Sequence, residues 1–507
     1  MVIGGVPGPS LDVGDLPGLL DSYTRAGIKS FLFPGSLARE PERLSAEIVA
    51  ARRATERAGL GRALVAIGGF ASPSFGLPFF PEVPSPLGLA SLGSSRAARR
   101  SGRVVGARLA ACGVDMVMGP RLDLASDPKD PFGALEGFGE DARLVGLLGS
   151  AYSRGLEGSG VHACAGRFPG LGATCRDCYE GANFIALPVE RLERCEMRPF
   201  MRASASGVAA VLVGKVLVPS LESERIPASM SARVIEGRLR EELRFRGVVV
   251  ADDVGEEDDP GRSAVLEALA GCDLCVFSRP DQARAAAEAL AKAASGGELP
   301  SIRTETARRR VEKLIGKSSR PGPARCSPAE LSRASRDIGS AVSLLRGSLV
   351  VDGAKDGNFS GMLSVVFLPP AGAPDAAEAD AVAAAIREAF PGSELLTFPS
   401  VPLPSDGETA LRVLSSGRSF KEAVIFTYDA HFHPAQESLA KLAVESLPRF
   451  RVVAMRDPYD AAFFPRAIGL GAAYGFSGAC ARAASLVLAG KRAARGGHPV
   501  EVIGLEI

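Results

Sequence analysis

The sequence has no surplus of charge of either sign. Its 59 Lys and Arg residues are offset by 58 Asp and Glu, for a formal net charge of +1. Without a basic excess there is no electrostatic footprint for nucleic acid or an anionic membrane, and neither is expected as a partner. Long apolar runs are also missing, so no bilayer-spanning segment is expected. Met1-Val2-Ile3 runs straight into Gly4-Gly5 without the basic and apolar regions of a signal peptide, which makes a cytoplasmic location the expectation. Nine cysteines, an odd number at irregular spacing, do not make a disulfide framework. Histidine is scarce, with four in the chain.

What is present is an ordinary globular composition, 46% hydrophobic and 23% charged. At 507 residues the chain exceeds a single ordinary core, so two domains are the default. Over the first half, short apolar β-branched runs alternate with helix-favouring stretches. The strand candidates are Val2–Val6, Ile28–Phe33, Ala63–Ile67, Val114–Met118, Val161–Ala165, Ala209–Val213, Val248–Ala251 and Asp273–Phe277. Continuous apolar strands separated by helices argue for a parallel sheet. Eight such units predict an N-terminal (β/α)8 TIM barrel, whose functional groups would sit at the C-terminal ends of the strands.

Ser318-Ser319-Arg320-Pro321-Gly322-Pro323 is linker chemistry. Ser327-Pro328-Ala329-Glu330 then carries a helix start, with Ser327 as cap and Glu330 as the capping-box acid, and the helix is expected to run toward Leu345. A second α/β series follows, with strands expected at Ser364–Leu368, Glu394–Phe398, Ala423–Thr427, Arg451–Met455 and near Glu501–Ile507. Its closer spacing suits an open C-terminal α/β sandwich domain. The expected division is a barrel over 1–320, a linker and junction helix over 321–345, and the sandwich over 346–507.

Several segments together carry a family resemblance. They are Gly119-Pro120-Arg121-Leu122-Asp123-Leu124, Phe138-Gly139-Glu140-Asp141, and Cys164-Ala165-Gly166-Arg167-Phe168-Pro169-Gly170-Leu171-Gly172-Ala173-Thr174 with Asp177-Cys178-Tyr179. Pro227-Ala228-Ser229-Met230-Ser231, the run Leu239 to Gly247, Asp252-Asp253 and Asp457-Pro458-Tyr459-Asp460 extend the match over nearly the whole chain. The chain resembles glycoside hydrolase family 3, most closely its β-N-acetylglucosaminidase branch. The resemblance implies a retaining O-glycosyl hydrolase with a carbohydrate ligand. Such an enzyme needs a carboxylate nucleophile and a group that gives and then takes a proton.

In the family, the nucleophile is the first Asp after strand seven, a position held here by Asp252. The acid/base is an Asp–His pair on the loop after strand five. Asp177 holds the Asp position and Tyr179 the His position. A phenol titrates near 10, so it donates a proton readily and is a poor base at neutral pH. The family's Lys-His pair stands as Gly166-Arg167 and its inner His as Leu171. A His usual after strand six corresponds to Lys215, and an Arg before Phe-Gly-Glu-Asp to Glu136. The sugar-binding Asp after strand three falls in Val65-Ala66-Ile67-Gly68-Gly69, which has no carboxylate. Asp123, Arg167 and Lys215 are therefore the candidate substrate contacts. Weak or altered hydrolysis is expected, or else a non-catalytic member that binds a glycan or protein partner in the old cleft.

The remaining features read more plainly. Gly170-Leu171-Gly172 lacks the Lys and the strand–helix context of a phosphate loop. Cys272 and Cys275 fit a buried strand. Cys175 and Cys178 lie on a loop, where metal binding or redox chemistry is the least favoured third reading; neither pair has zinc-ribbon spacing, so no metal and no cofactor are expected. His162 belongs in strand five and His498 near the final strand. His431, His433 and Glu437 follow a second-domain strand and are the candidates for a borrowed acid. The Arg-rich run Arg96 to Arg108 fits a helix with a solvated face.

Overall fold

A computed structural model describes residues 2–6, 15–68, 83–129, 134–174, 184–253, 258–317, 326–373, 375–416, 419–445, 447 and 449–502. Eight parallel strands close into a barrel: β1 (Val2–Gly5), β2 (Ser30–Phe33), β3 (Leu64–Ile67), β4 (Met116–Val117), β5 (His162–Phe168), β6 (Ala210–Val213), β7 (Val248–Ala251) and β8 (Leu274–Phe277). Closure comes from β1 against β8, with Val2 opposite Cys275. Successive side chains alternate between two cores, as strand geometry requires. Leu64, Ala66, Val248 and Val250 fill the barrel interior. Val65, Ile67, Val249 and Ala251 pack outward under the helices. The helix Ser301–Lys317 plugs the N-terminal end, sending Val311, Leu314 and Ile315 into the interior cluster.

Ser327 accepts from the Glu330 amide and Glu330 reaches back to the Ser327 amide, so the capping box forms as its sequence indicates. The helix it opens stops at Ala341, short of the expected Leu345. The residues beyond it, Ser343–Gly347, instead form β9, an edge strand of the second sheet. The other strands of that sheet are β10 (Met362–Leu368), β11 (Glu394–Pro399), β12 (Glu422–Thr427), β13 (Phe450–Ala454) and β14 (Gly469–Ala472), in the order β11-β10-β12-β13-β14-β9. All pair in parallel except β14 with β9. The Gly-rich strand β14, Gly-Leu-Gly-Ala, has no β-branched residue to announce it. The final strand expected near Glu501 is not found: Glu501 and Val502 are irregular, and the positions after them lie outside the described residues. No helix among the described residues is long and apolar enough to cross a membrane.

The Arg-rich helix, Ser95–Cys112, corrects a second expectation. Its charged side is not simply solvated. Arg100 donates to Asp337 at 2.5 and 3.1 Å, and Arg103 lies 3.2 Å from Glu330, so the face docks the junction helix. Cys272 and Cys275 are free, fully buried thiols whose pKa is driven upward by burial, as expected of small core residues.

Phe138-Gly139-Glu140-Asp141 turns out to be a domain joint. The Glu140 amide donates to Pro499 O at 3.1 Å, and Glu140 Oε1 accepts from the Glu501 amide at 3.0 Å. Asp141 caps the helix Ala142–Glu157. Gly139 has φ +95°, and a Cβ there would stand 2.3 Å from Pro499 O. Gly139→Ala is expected to cost about 3 kcal/mol and loosen the C-terminal segment from the barrel. Thermal unfolding with limited proteolysis checks this, and an unchanged melting temperature would show that the joint tolerates a side chain.

Candidate active site

β7 delivers Asp252 to the C-terminal mouth of the barrel, where its amide donates to Val213 O at 3.0 Å. The residue is 8% exposed. Oδ2 accepts from Arg167 Nε at 2.6 Å, and Oδ1 accepts from the Asp253 amide at 3.0 Å. Burial pushes the Asp252 carboxyl above its ordinary range, and the Arg167 charge opposes that shift. Asp253 turns away to accept from the Ser278 amide at 3.0 Å, tying β7 to the exit of β8.

Arg167 reaches Asp252 because β5 is longer than its apolar run suggests. The strand continues through Gly166-Arg167-Phe168, with an irregular register against β6 between Ala165 and Phe168. Gly119–Pro120, Gly166–Arg167 and Phe168–Pro169 are cis peptides. Asp123, fully buried, holds this segment in place. Its Oδ1 accepts from the amides of Arg167 at 3.1 Å and Leu171 at 2.9 Å, and its Oδ2 from Arg121 Nε at 3.1 Å. Three donors from its own chain make Asp123 an organiser of the site backbone. Leu171 is buried, and its methyls lie beside Gly214. A Cβ on Gly166 would stand 2.9 Å from Leu212 Cβ, so the side chain at 212 occupies the space into which a residue at 166 would project.

Lys215, the other cationic candidate, lies 3.3 Å from Glu267 Oε1, and Ser229 Oγ donates to the same oxygen at 3.3 Å. Glu136 ends a short 3-10 turn and is buried. Asp177 and Tyr179, like Cys175 and Cys178, lie outside the described residues, as does Gly69.

The second-domain candidates sit at the C-terminal ends of β12 and β13. His431 Nδ1 is 2.7 Å from Asp460 Oδ1, which also accepts from the His431 amide at 3.0 Å. Arg456 bridges Asp375 at 2.7 Å and Asp429 at 2.8 Å, and Tyr428 donates to Asp375 at 2.7 Å. Within this buried cluster, burial first and then Asp429 push the Asp457 carboxyl up to about 7. Tyr459 carries the cluster to the barrel, its hydroxyl 3.4 Å from Ala125 O, two residues from Asp123. Glu437 is paired with Lys441 on its own helix. His162 stands at the opposite, N-terminal end of the barrel, bonded through Nε2 to Leu314 O at 2.9 Å.

One buried acid behind the site was not singled out from the sequence. Glu196 ends the π-helical turn Leu192–Glu196 that backs the loop after β5, where a Cβ on Gly170 would stand 2.9 Å from Glu196 Cβ. It is 0% exposed, its Oε1 is 3.5 Å from Arg191, and its Oε2 has no hydrogen-bond partner. No motif flags it, because its character comes from burial rather than spacing. Burial raises its pKa from 4.5 to about 7, against the opposing pull of Arg191. The unfolded chain loses this proton above about 4.5, whereas the folded chain keeps it until about 7, so the group's contribution to stability falls across that window. Glu196→Gln is expected to stabilise the fold by ~2 kcal/mol at high pH and by little in mild acid. Chemical unfolding on either side of the window checks this, and a gain that does not vary with pH contradicts it.

Comparison with known proteins adds to this geometry. Residues 79–314 match the glycosyl hydrolase family 3 N terminal domain. A β-hexosaminidase of Bordetella pertussis is 34% identical over 197 residues, covering 38% of this chain and 55% of that protein. One from Neisseria meningitidis serogroup C is 33% identical over 196 residues, covering 36% and 52%. The matched region thus spans about half the length of these curated relatives. A family 3 β-N-acetylglucosaminidase structure from Paenibacillus sp. covers 99% of this chain and 98% of its own, at a TM-score of 0.85 and 25% identity. Sequence across the barrel and fold across both domains point the same way: residues 79–314 match the family 3 N terminal domain, and the whole chain is similar in fold to a family 3 β-N-acetylglucosaminidase.

Proposed function

We propose that the barrel mouth is a carbohydrate cleft in which β-N-acetylglucosaminide hydrolysis is weak or altered. The observation that carries this reading is the Arg167–Asp252 ion pair at 2.6 Å. With Arg167 on one oxygen and the Asp253 amide on the other, both nucleophilic oxygens are engaged. Charge-assisted bonds of this kind lower the basicity of a carboxylate, and with it its nucleophilicity toward an anomeric carbon. The sequence adds Tyr179 where the family has its proton-shuttling His, and Gly166 and Leu171 where it has a Lys and a His. Buried sugar hydroxyls need specific polar partners, so loss of several around one subsite weakens N-acetylglucosamine recognition. Asp252 remains the nucleophile if hydrolysis occurs, with Asp177 and Tyr179 the proton-transfer pair and Arg167 and Lys215 facing altered substrate groups. The second reading is a non-catalytic member that holds a glycan or a protein partner in the same cleft. Full engagement of Asp252 favours it over an unmodified hydrolase.

Turnover of an aryl β-N-acetylglucosaminide is expected to be weak or absent. The assay uses the wild type beside Asp252→Asn. Vigorous hydrolysis that vanishes in the variant would overturn the reading.

Restoring the family pattern at two positions, Arg167→His with Tyr179→His, removes the cation on Asp252 and supplies an imidazole two positions along the chain from Asp177. General acid–base catalysis is worth roughly a hundredfold or more, so a rise of at least about tenfold on an activated aryl glycoside is expected. A double variant as inert as the wild type would favour the non-catalytic reading.

A further inference from the structure

The end of the barrel opposite Asp252 carries a second recess. It is a cavity of about 380 Å³ between the segments leading into β6 and β7 and the C-terminal half of the helix Ser301–Lys317. Arg244, Arg246, Arg310, Lys313 and Lys317 line it against one carboxylate, Glu157. That carboxylate is already engaged, its Oε1 accepting from the Ala209 amide at 2.9 Å. Arg310 is paired with Asp273 at 3.1 Å. Arg244, Arg246, Lys313 and Lys317 have no carboxylate partner among the described residues.

The same helix shows that this is not its habit. Arg303 reaches Asp273 at 3.1 Å, and Arg308 takes Glu305 at 2.8 Å and Glu312 at 2.7 Å. Cations elsewhere on the helix are neutralised, and the two lysines on the recess are not. In a chain of net charge +1, four unpaired cations around one concavity form a local excess.

Two further observations point to a ligand. His162 lines the recess and is 5% exposed. Its Nε2 is 2.9 Å from Leu314 O, so that nitrogen carries the hydrogen that satisfies the carbonyl. Nδ1 is left buried without a hydrogen-bond partner, 4.0 Å from Glu157 Oε2. Arg244 sits at φ +54°, a left-handed conformation unfavourable for a bulky side chain. Glycine would adopt it at lower cost. The cost is accepted at the residue that places a guanidinium on the recess.

We propose that this recess binds a small phosphorylated compound. Guanidinium and ammonium groups are the natural partners of a phosphate dianion, the guanidinium through paired N–H donors. The cavity is larger than a bare phosphate needs and falls in the size range of small-molecule sites. Phe245, Val208 and Leu314 give it an apolar wall for the organic part of the ligand. Its position away from Asp252 makes it independent of the carbohydrate cleft.

Calorimetric titration of the full chain with inorganic pyrophosphate, a hexose phosphate and adenosine monophosphate tests the proposal. At least one probe is expected to bind saturably with Kd below about 1 mM at physiological ionic strength. The arms separate the sources: preference for the hexose phosphate or the nucleotide over pyrophosphate identifies the organic part. Arg244→Ala with Lys313→Ala should weaken binding by about tenfold or more, and Asp252→Asn should leave it unchanged. Both replaced side chains are exposed, so folding is expected to survive and is confirmed by thermal unfolding. Arg244→Gly serves as a second variant, because it relieves the backbone and still removes the cation. Absence of saturable binding by all three probes overturns the site. So does binding that chloride at the same ionic strength abolishes, or binding that depends on Asp252 rather than Arg244 and Lys313.

Discussion

A single buried carboxylate, Asp123, organises the open end of the barrel. Left without partners, a charge at that depth would be costly. Here it gathers the amides of Arg167 and Leu171 and the side chain of Arg121, and in doing so fixes the path of the chain after β5. That path decides where Arg167 points. Once the Arg167 backbone is held against Asp123, its guanidinium lies against Asp252 on the neighbouring side of the mouth. The electrostatics of the site follow from these two carboxylates and the arginine between them. The polar chain Arg121–Asp123–Arg167–Asp252 has its charges matched, which is what allows it to be buried.

The second domain is fitted to the same region by different means. Its contacts with the barrel are mostly backbone-directed: Ser85 Oγ to Tyr474 O at 2.7 Å, Ser91 Oγ to Ala341 O at 2.7 Å, and the Glu140–Pro499 pairing. The Arg100–Asp337 pair adds a charged clamp through the junction helix. Backbone-directed bonds fix position without demanding long side chains, and two serines suffice for two of these contacts. The acidic cluster around Arg456 is pressed against the barrel through Tyr459, so its buried charges are shielded by the domain contact as well as by their own sheet.

Much of the architecture could be read from the sequence. Parallel strands announce themselves as continuous apolar runs, and all eight barrel strands carry one. The capping box at Ser327 is a local signal and holds locally. What escaped has a common cause: it is set by tertiary contact. β14 is glycine-rich because Ser348 O and Leu349 crowd it, and nothing in Gly-Leu-Gly-Ala reveals those neighbours. β9 begins where the junction helix ends because β14 offers it a free edge. At the site, the position of Asp252 was legible from its strand. The partnership of Arg167 with Asp252 was not, since the residues are 85 apart and meet only because β5 runs past its apolar stretch. Glu196 was invisible for the same reason, because the shift in its pKa comes from the wall behind it.

The packing of Leu212 against Gly166 has a consequence for any attempt to rebuild the site. A side chain at 166 would begin 2.9 Å from Leu212 Cβ, inside a closely packed barrel. Reintroducing a long residue at 166 alone would create a clash, and shrinking 212 alone would open a void. Each change is unfavourable on its own, so positions 166 and 212 form a coupled pair: a long residue at 166 is accommodated only with a smaller one at 212.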